Sequence, residues 1–243
     1  MKLIKLAPFF ILLFTLVVHG QSPEETRIPM LGDRAPSFSV ETTQGRINFP
    51  DDYLGKWKIL FSHPADFTSV CSSEILDLAE MQEEFKKLNT EIFVLSADGL
   101  NSHLQWIRSL ENIQAKEGIV HHIDFPLIPD IGLDIAKKYG MVHPGRSMTE
   151  TMRGVFIINP ENQIDAIFFY PISTGRNLME IKRCLLALQE TYDHDVLTPS
   201  NWQPGDDFLI ESPSSKEEAE KLARKKGDDL YSREWYLWYK KSR

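Results

Sequence analysis

Short apolar runs and helical periodicities alternate along the chain from residue 57 onward. The run WKILFS over Trp57 to Ser62 is typical of a buried strand, and Glu91 to Ala97 repeats that pattern. Each run is followed by apolar residues at helical spacing, over Val70 to Asn89 and over Ser102 to Lys116. Two strand-then-helix units in succession favour parallel pairing of the two strands.

The pattern around this core predicts two hairpins and a closing helix. Alternating positions around Gln44-Gly45 indicate an early hairpin, and Val155 to Ile158 and Ile164 to Phe169 flank a longer turn. Helical spacing predicts a short helix over Leu133 to Tyr139 and a strong one over Leu178 to Tyr192. This order is typical of a thioredoxin-like α/β fold, in which helices flank a central β-sheet.

The pattern changes beyond Asp195, where prolines punctuate a polar stretch. A charged helical segment over Lys216 to Lys226 and an aromatic strand over Trp235 to Tyr239 are predicted there. A chain of 243 residues is near the upper size of one domain, so a single core with an appended segment is expected. We therefore predict a thioredoxin-like domain over residues 28–195 and a C-terminal extension over residues 196–243.

The first 20 residues have the pattern of a secretory signal peptide. Lys2 and Lys5 precede an apolar run from Ala7 to Val18, and Gly20 stands directly before a polar, acidic stretch. The alternative is an uncleaved membrane anchor, but roughly 12 apolar residues fall short of the ~20 that span a bilayer. We predict cleavage after Gly20 and a secreted or periplasmic protein without membrane contact.

The charge of the chain argues against several kinds of partner. The net charge is −8 for the full chain, and loss of Lys2 and Lys5 with the signal peptide makes it −10. An acidic surface disfavours nucleic acids and anionic membranes. Neither a glycine-rich phosphate loop nor a dinucleotide fingerprint is present, and no histidine has metal-ligand spacing to a cysteine. We expect neither a cofactor nor a metal.

The chain has only two cysteines, so it is not a disulfide scaffold even if it is exported. Cys184 lies on the apolar stripe of the helix Leu178 to Tyr192, which favours a core position over a redox role. Cys71 falls in the first turn of the helix that follows the Trp57 to Ser62 strand. Unpaired backbone N–H groups and the helix dipole favour an anion there, which points to a thiolate at Cys71.

Two neighbours suit a site built around the Cys71 thiolate. Thr68 lies three residues earlier and can place its hydroxyl on the sulfur's side of the turn, and Pro64 suits an apolar wall because it lacks an N–H. A helix N-terminus supplies ~1 of the ~3 kcal/mol needed to make a thiol mostly thiolate at neutral pH, so a nearby cation is also needed. The alternative is that Cys71 is a small buried hydrophobe and Thr68 only a helix cap.

The pattern Pro64-x-x-x-Thr68-x-x-Cys71 matches the active-site signature of the peroxiredoxins. The longer string SHPADFTSVCSSE closely resembles their one-cysteine subfamily, and the resemblance continues through TMRGVFIINP, STGRN and TPSNW over nearly all of the mature chain. It implies a thioredoxin-like thiol peroxidase in which Arg153 is the guanidinium beside the reactive sulfur. This residue would be the cation that the thiolate needs.

The resemblance also implies roles for other residues near the sulfur. Pro64 would shield the thiolate and Thr68 would bind the peroxide, while Arg176 with Glu74 would form a supporting polar network. We interpret His63 as a structural or supporting residue. Some one-cysteine members carry a phospholipase activity on a Gly-x-Ser-x-Gly-like segment. The corresponding stretch here reads LGKWK and has no serine, so this second activity is not expected.

The implied reaction is attack of the Cys71 thiolate on hydrogen peroxide or an organic hydroperoxide, which gives a sulfenic acid and water or an alcohol. In two-cysteine relatives a resolving cysteine stands just before a Pro-x-x-Trp segment, where this chain reads VLTP. We therefore expect an external thiol as reductant. The resemblance further implies a homodimer in which the extension packs across a partner subunit.

Two other functional classes remain open from the sequence. A protein of the same fold could act as a redox sensor or holdase, with Cys71 oxidised once rather than in turnover. A thioredoxin-like disulfide oxidoreductase is a weaker alternative, because that chemistry usually needs C-x-x-C and the chain reads Cys71-Ser72-Ser73-Glu74.

Overall fold

A five-stranded mixed sheet forms the centre of the molecule. The computed structural model describes residues 28–116, 118, 122–225 and 227–242, so the predicted signal peptide and its cleavage site lie outside the described residues. A hairpin of β1 and β2 precedes the sheet strands β3 to β7, with the bounds β1 Phe38–Thr42, β2 Gly45–Phe49, β3 Trp57–Ser62, β4 Thr90–Ser96, β5 Leu127–Pro129, β6 Arg153–Ile158 and β7 Ile164–Tyr170. The sheet order is β5-β4-β3-β6-β7.

Strand pairing brings the ends of three strands together at one end of this sheet. β3 pairs in parallel with β4, which confirms the pairing predicted from the two strand-then-helix units. On its other side β3 pairs antiparallel with β6, and β6 pairs antiparallel with β7. The carboxyl ends of β3 and β7 therefore meet the amino end of β6.

Helices cover one face of the sheet, and the hairpin with a short helix covers the other. The helix bounds in the main domain are α1 Ser69–Lys87, α2 Leu100–Lys116, α3 Asp134–Lys138 and α4 Leu178–Asp193. Ile59 and Phe61 of β3 pack among residues of α1, α2 and α4, whereas Leu60 between them packs with the hairpin and α3. The period-2 alternation of a strand thus builds a core on each face, as expected for a sheet flanked by helices.

The C-terminal extension forms its own small antiparallel sheet, with the bounds β8 Phe208–Leu209, α5 Lys216–Lys225, β9 Leu230–Glu234 and β10 Leu237–Lys240. The prediction of one strand over Trp235 to Tyr239 was wrong, because Trp235 and Tyr236 form the turn between β9 and β10. Aromatic residues favour strands locally, but reversal at this turn buries Trp238 and lets its indole N–H donate to the Trp235 carbonyl.

None of the helices in the described part of the chain combines the length and the hydropathy that a bilayer span requires.

Candidate active site

Cys71 lies where the sheet edge meets the start of α1. Thr68 is the N-cap residue, with extended backbone angles, and Cys71 lies in the first turn with none of its surface exposed. The Ser72 N–H donates to the Thr68 carbonyl at 2.9 Å, so the N–H groups before it have no acceptor within the helix. This geometry confirms the predicted position of Cys71 at a helix N-terminus, where an anion is stabilised.

Arg153, the first residue of β6, supplies a cation at the sulfur. Its Nη1 lies 3.3 Å from Cys71 Sγ and 2.8 Å from Glu74 Oε2. Its Nε and Nη2 donate to the Ile172 carbonyl at 3.0 and 2.7 Å. The side chain is only 2% exposed, so water screens its charge weakly and the attraction for a thiolate is strong.

Glu74 and Arg176 extend this cluster away from the sulfur. Arg176 binds the Glu74 carboxylate with two groups, Nε at 2.9 Å and Nη2 at 2.7 Å. Burial lowers the pKa of Arg176 from its ordinary value, and the Glu74 charge opposes that shift. Two arginines and one glutamate leave one positive charge, which a thiolate at Cys71 neutralises. The cluster therefore places a net positive charge beside the sulfur.

Close packing of strand ends positions Arg176 as well. Its Nη1 donates to the Ser62 and Gly154 carbonyls at 2.9 and 3.0 Å. Ser62 Oγ in turn accepts from the Gly154 N–H at 2.9 Å. A Cβ at Gly154 would lie only 3.0 Å from that hydroxyl, so a glycine permits this approach of β6 to the end of β3.

Thr68 and Pro64 lie in the loop between β3 and α1. The Thr68 hydroxyl makes no capping bond to the helix and instead donates to the Ala65 carbonyl at 2.9 Å. A hydroxyl that already donates one hydrogen bond still has lone pairs on its oxygen. Thr68 Oγ1 can therefore accept a hydrogen bond from the O–H of a peroxide. Thr68 is exposed, whereas Pro64 is buried. The alternative of a plain helix cap therefore does not account for the Thr68 side chain.

His63 belongs to a buried cluster centred on Asp66. His63 Nε2 lies 3.0 Å from Asp66 Oδ1, and His103 Nδ1, from α2, lies 2.9 Å from Asp66 Oδ2. Burial alone raises the pKa of Asp66, but the hydrogen bonds from His103 and His63 outweigh it and hold that pKa below its ordinary value. Burial lowers the pKa of His63, and Asp66 opposes this only in part.

Part of this cluster also has the spacing of a metal site. His63, Asp66 and Asp98 each offer one ligand atom, and these atoms lie within 4.8 Å of one another. Hydrogen bonds already connect them, because Asp98 Oδ2 accepts from the Asp66 N–H at 2.8 Å and from Ser96 Oγ at 2.9 Å. These bonds account for the cluster, and the absence of a metal stays a prediction from the sequence.

His63 could be named from the sequence, but its partners Asp66 and His103 were not predicted. Asp66 stands three residues after His63 within the string that carries the family resemblance, and this spacing was an available signal. His103 carries no local signal, because it is 37 residues from Asp66 and reaches it only through the packing of α2.

Cys184 lies on α4, partly buried against the core cluster that contains Cys71. Burial raises the pKa of its thiol. Both cysteines are free thiols. The packing agrees with the predicted core position of Cys184.

Comparison with known families extends over most of the chain. The model of the AhpC/TSA family matches residues 31–167, and the model of the C-terminal domain of 1-Cys peroxiredoxin matches residues 187–226. A peroxiredoxin of Methanosarcina mazei is 50% identical over 215 residues, which cover 88% of this chain and 98% of that protein. A peroxiredoxin of Aquifex aeolicus is 40% identical over 228 residues, or 90% of this chain and 99% of that one.

Solved structures of the same family resemble the whole fold. The yeast mitochondrial 1-Cys peroxiredoxin is 36% identical with a TM-score of 0.77, over 88% of this chain and 100% of that one. A cysteine-to-serine mutant of peroxiredoxin 6 of Arenicola marina is 33% identical with a TM-score of 0.76, over 87% and 97%. The thioredoxin-like fold class is thereby confirmed. The chain belongs to the peroxiredoxin family of thiol peroxidases and carries the C-terminal domain of its one-cysteine members.

Proposed function

We propose that Cys71 is the peroxidatic residue of this thiol peroxidase and that Arg153, Thr68 and Pro64 complete its site. The observation that carries the proposal is the 3.3 Å contact between Arg153 Nη1 and Cys71 Sγ, at a helix N-terminus. A buried guanidinium and an anion-stabilising helix end meet at one sulfur, as the activation of a thiol nucleophile requires.

The reaction follows from this geometry. The Cys71 thiolate attacks one peroxide oxygen, an S–O bond forms, and the O–O bond breaks. The second oxygen leaves as hydroxide or alkoxide and takes up a proton, which leaves Cys71 as a sulfenic acid. Arg153 stabilises the negative charge that develops on the leaving oxygen, and Thr68 Oγ1 orients the peroxide by accepting its O–H. Glu74 and Arg176 hold the Arg153 guanidinium in place.

An external thiol completes the cycle in this proposal. The other cysteine of the chain, Cys184, is partly buried on α4 against the core cluster, and we assign it no redox role. One external thiol condenses with the sulfenic acid to give a mixed disulfide and water, and a second thiol releases Cys71 as a thiol together with an external disulfide. In the yeast mitochondrial relative, thiol resolution proceeds via glutathione/thioredoxin systems. A small thiol or a dithiol protein is therefore the class of reductant we propose.

The first test compares the two cysteines in a peroxide-consumption assay on the mature chain with dithiothreitol. Cys71→Ser should abolish peroxide reduction, because no other thiol lies at the helix N-terminus. Cys184→Ser should keep most of the activity, since it loses only a partly buried core side chain. Equal loss in both folded variants would make Cys184 a resolving residue. One stoichiometric oxidation without turnover in the unmodified chain would instead favour a redox sensor or holdase.

Assembly and location complete the proposal. The turn residues Trp235 and Tyr236 of the extension are substantially exposed, which supports a homodimer in which this segment contacts the partner subunit. The signal-peptide pattern of the first 20 residues supports a secreted or periplasmic location. A protein recovered from the exported fraction with an N-terminus other than Gln21 would contradict the proposed cleavage after Gly20.

A further inference from the structure

We propose that Asp98 is a positioning residue for the peroxidase reaction and that it acts by orienting the Thr68 hydroxyl. The inference rests on the proposed function, in which Thr68 Oγ1 accepts a hydrogen bond from the peroxide. Asp98 is half-buried and lies two residues after β4, in the short connection to α2. Among the described residues, no hydrogen bond joins Asp98 directly to Thr68, so its effect passes through the backbone between them.

A single peptide group connects the two side chains. The Asp66 N–H donates to Asp98 Oδ2 at 2.8 Å, and the Ala65 carbonyl of the same peptide group accepts from Thr68 Oγ1 at 2.9 Å. A trans peptide group is planar, and its N–H and C=O point in opposite directions. The bond to Asp98 therefore also fixes the direction of the carbonyl to which Thr68 gives its only hydroxyl proton.

The direction of this proton decides what the hydroxyl offers to a peroxide. A threonine hydroxyl has one proton and two lone pairs, and it rotates unless the proton is engaged. With the proton on the Ala65 carbonyl, the lone pairs of Thr68 Oγ1 remain available to accept the peroxide O–H. Without a fixed carbonyl the hydroxyl rotates, and the fraction of molecules with the productive orientation falls. Groups that are positioned before the reaction raise its rate because they need no rearrangement during it.

The Asp98 carboxylate is itself held by the central sheet. Ser96 Oγ donates to Asp98 Oδ2 at 2.9 Å and accepts from the Asp98 N–H at 3.1 Å. Ser96 is the last residue of β4 and has no exposed surface. At the same end of the sheet, the His63 N–H donates to the Leu95 carbonyl at 2.9 Å, which continues the pairing of β3 with β4. The carboxylate thus reaches the loop before Cys71 from a rigid support.

The backbone of this loop is strained at the residue that follows the peptide group. Phe67 has a φ angle of +56°, in the left-handed region that bulky residues rarely adopt. Such conformations persist only where the surrounding structure imposes them, and they concentrate at functional sites. On one side of Phe67, Asp66 is held through its N–H and its carboxylate. On the other side, the Thr68 hydroxyl bonds back to the Ala65 carbonyl, so the strained turn and the hydroxyl orientation are maintained together.

The test is the second-order rate constant for oxidation of the reduced protein by hydrogen peroxide, measured in single turnover without reductant. Thiol loss is followed after rapid quenching, so reductant binding plays no part. Asp98→Ala should lower this rate constant by about three- to tenfold, the effect of losing one neutral hydrogen bond. Asp98→Asn keeps an oxygen acceptor for the Asp66 N–H and should keep most of the rate.

The same substitution in two Thr68 backgrounds shows whether Asp98 acts through the hydroxyl. Thr68→Val removes the hydroxyl, so adding Asp98→Ala should cause no further loss of rate. Thr68→Ser keeps a hydroxyl, so the loss caused by Asp98→Ala should remain. A merely structural role of Asp98 would lower the rate by the same factor in all three backgrounds, and that result would overturn the inference.

The thiolate fraction of Cys71, followed by ultraviolet absorbance, separates an effect on the hydroxyl from an effect on the sulfur. Removing a negative charge does not disfavour a thiolate, so Asp98→Ala should keep at least the native thiolate fraction while its rate falls. A loss of rate that only follows a loss of thiolate would contradict the inference. Asp52→Ala is the matched control and should leave the rate unchanged. Asp52 Oδ2 also accepts a backbone N–H, that of Asn48 at 2.7 Å, but it lies before β3, at the opposite end of that strand from Cys71.

Ser96→Ala is a second variant that keeps the inference testable if Asp98→Ala does not fold. It removes only the hydroxyl that holds the Asp98 carboxylate, so it should lower the rate by a smaller factor, and only where residue 68 carries a hydroxyl. An unchanged rate in the folded Asp98 and Ser96 variants would overturn the inference. If hydrogen peroxide does not oxidise Cys71 in the unmodified protein, the proposed function itself fails, which is a different outcome from an unchanged rate in the variants.

Discussion

The Arg153 guanidinium contacts three partners at once, because it carries five N–H donors in a fixed plane. One nitrogen faces Cys71 and Glu74, and the other two bind the Ile172 carbonyl. The charge is thus fixed beside the sulfur before any peroxide arrives. A positioned charge acts on the thiolate and also on the oxygen that leaves in the transition state, since it needs no reorganisation during the reaction.

Arg153→Met should reduce the thiolate fraction of Cys71 at neutral pH, measured by ultraviolet absorbance. It should also lower the rate constant with peroxide by about 10²- to 10³-fold, more than the lost thiolate explains, because the leaving oxygen loses its charge partner. Raising the pH should therefore restore only part of the rate.

Arg153→Lys is the matched variant, since it keeps a positive charge but cannot bind the sulfur, Glu74 and Ile172 in one plane. We expect a thiolate fraction closer to that of the native protein and a smaller loss of rate. Full recovery of Arg153→Met at high pH would confine Arg153 to ionising the thiol. An unchanged thiolate fraction and rate would remove it from the site, provided that thermal unfolding shows an intact fold.

At the scale of single elements, β3 contains one charged residue in a completely buried strand. Lys58 has no exposed surface, and its Nζ donates to Asn162 Oδ1 at 2.6 Å. Burial lowers the pKa of Lys58 to about 8, and Glu161 opposes this shift. Strand β3, which leads to the loop before Cys71, thus contains a buried amine at the end away from that loop. This amine costs stability when it is protonated.

The free energy of unfolding should depend on pH through Lys58. Between about pH 8 and pH 10.5 the unfolded chain binds more protons at this lysine than the folded one, so this contribution to stability rises with pH there. Below about pH 8 the lysine is protonated in both states, and the full cost of burying its charge persists. The native protein should therefore gain up to about 3 kcal/mol relative to Lys58→Met across that window, measured by urea unfolding.

Lys56→Met is the control, because Lys56 directly precedes the same strand, is exposed and pairs with Glu91. Its stability difference from the native protein should change much less over the same window, from about pH 8 to pH 10.5. A flat difference for Lys58→Met as well would show that the buried lysine titrates as an ordinary one.

At the scale of the whole molecule, the extension adds a separate three-stranded sheet to a core that already buries its own apolar residues. Stacked rings of Tyr231 and Tyr239 and the guanidinium of Arg233 over Tyr239 stabilise its β9–β10 hairpin. The same hairpin exposes Trp235 and Tyr236 at its turn. Exposed aromatic side chains of this kind favour contact with another chain.

The mature chain should be at least a homodimer by light scattering at micromolar concentration. Replacing Trp235 and Tyr236 together by serine should shift it toward the monomer, because the partner contact loses two aromatic anchors. Leu54→Ser is the control, since Leu54 is also exposed but lies before β3, outside the extension. A native chain that stays monomeric under these conditions would contradict the prediction.

The sequence by itself determined most helices and strands of the main domain, and it determined the part of the site that lies close together along the chain. Strand β3 was predicted with its observed bounds because its six consecutive buried residues are mostly apolar. Pro64, Thr68 and Cys71 could be placed together because they lie within eight residues at one strand-to-helix junction. Arg153 and Arg176 were assigned only through the family resemblance, because they are far from Cys71 in sequence. Glu74 was assigned in the same way, although it lies three residues after Cys71 on α1.

Only the tertiary structure decided which distant residues meet. Arg153 reaches Cys71 across 82 residues because β6 inserts antiparallel beside β3, and Lys58 reaches Asn162 across 104 residues for the same reason. Asp66 meets His103 through the packing of α2. The physical reason is that local periodicity reports the face on which a side chain lies, whereas its partner depends on strand order and register. These are set by packing of the whole core.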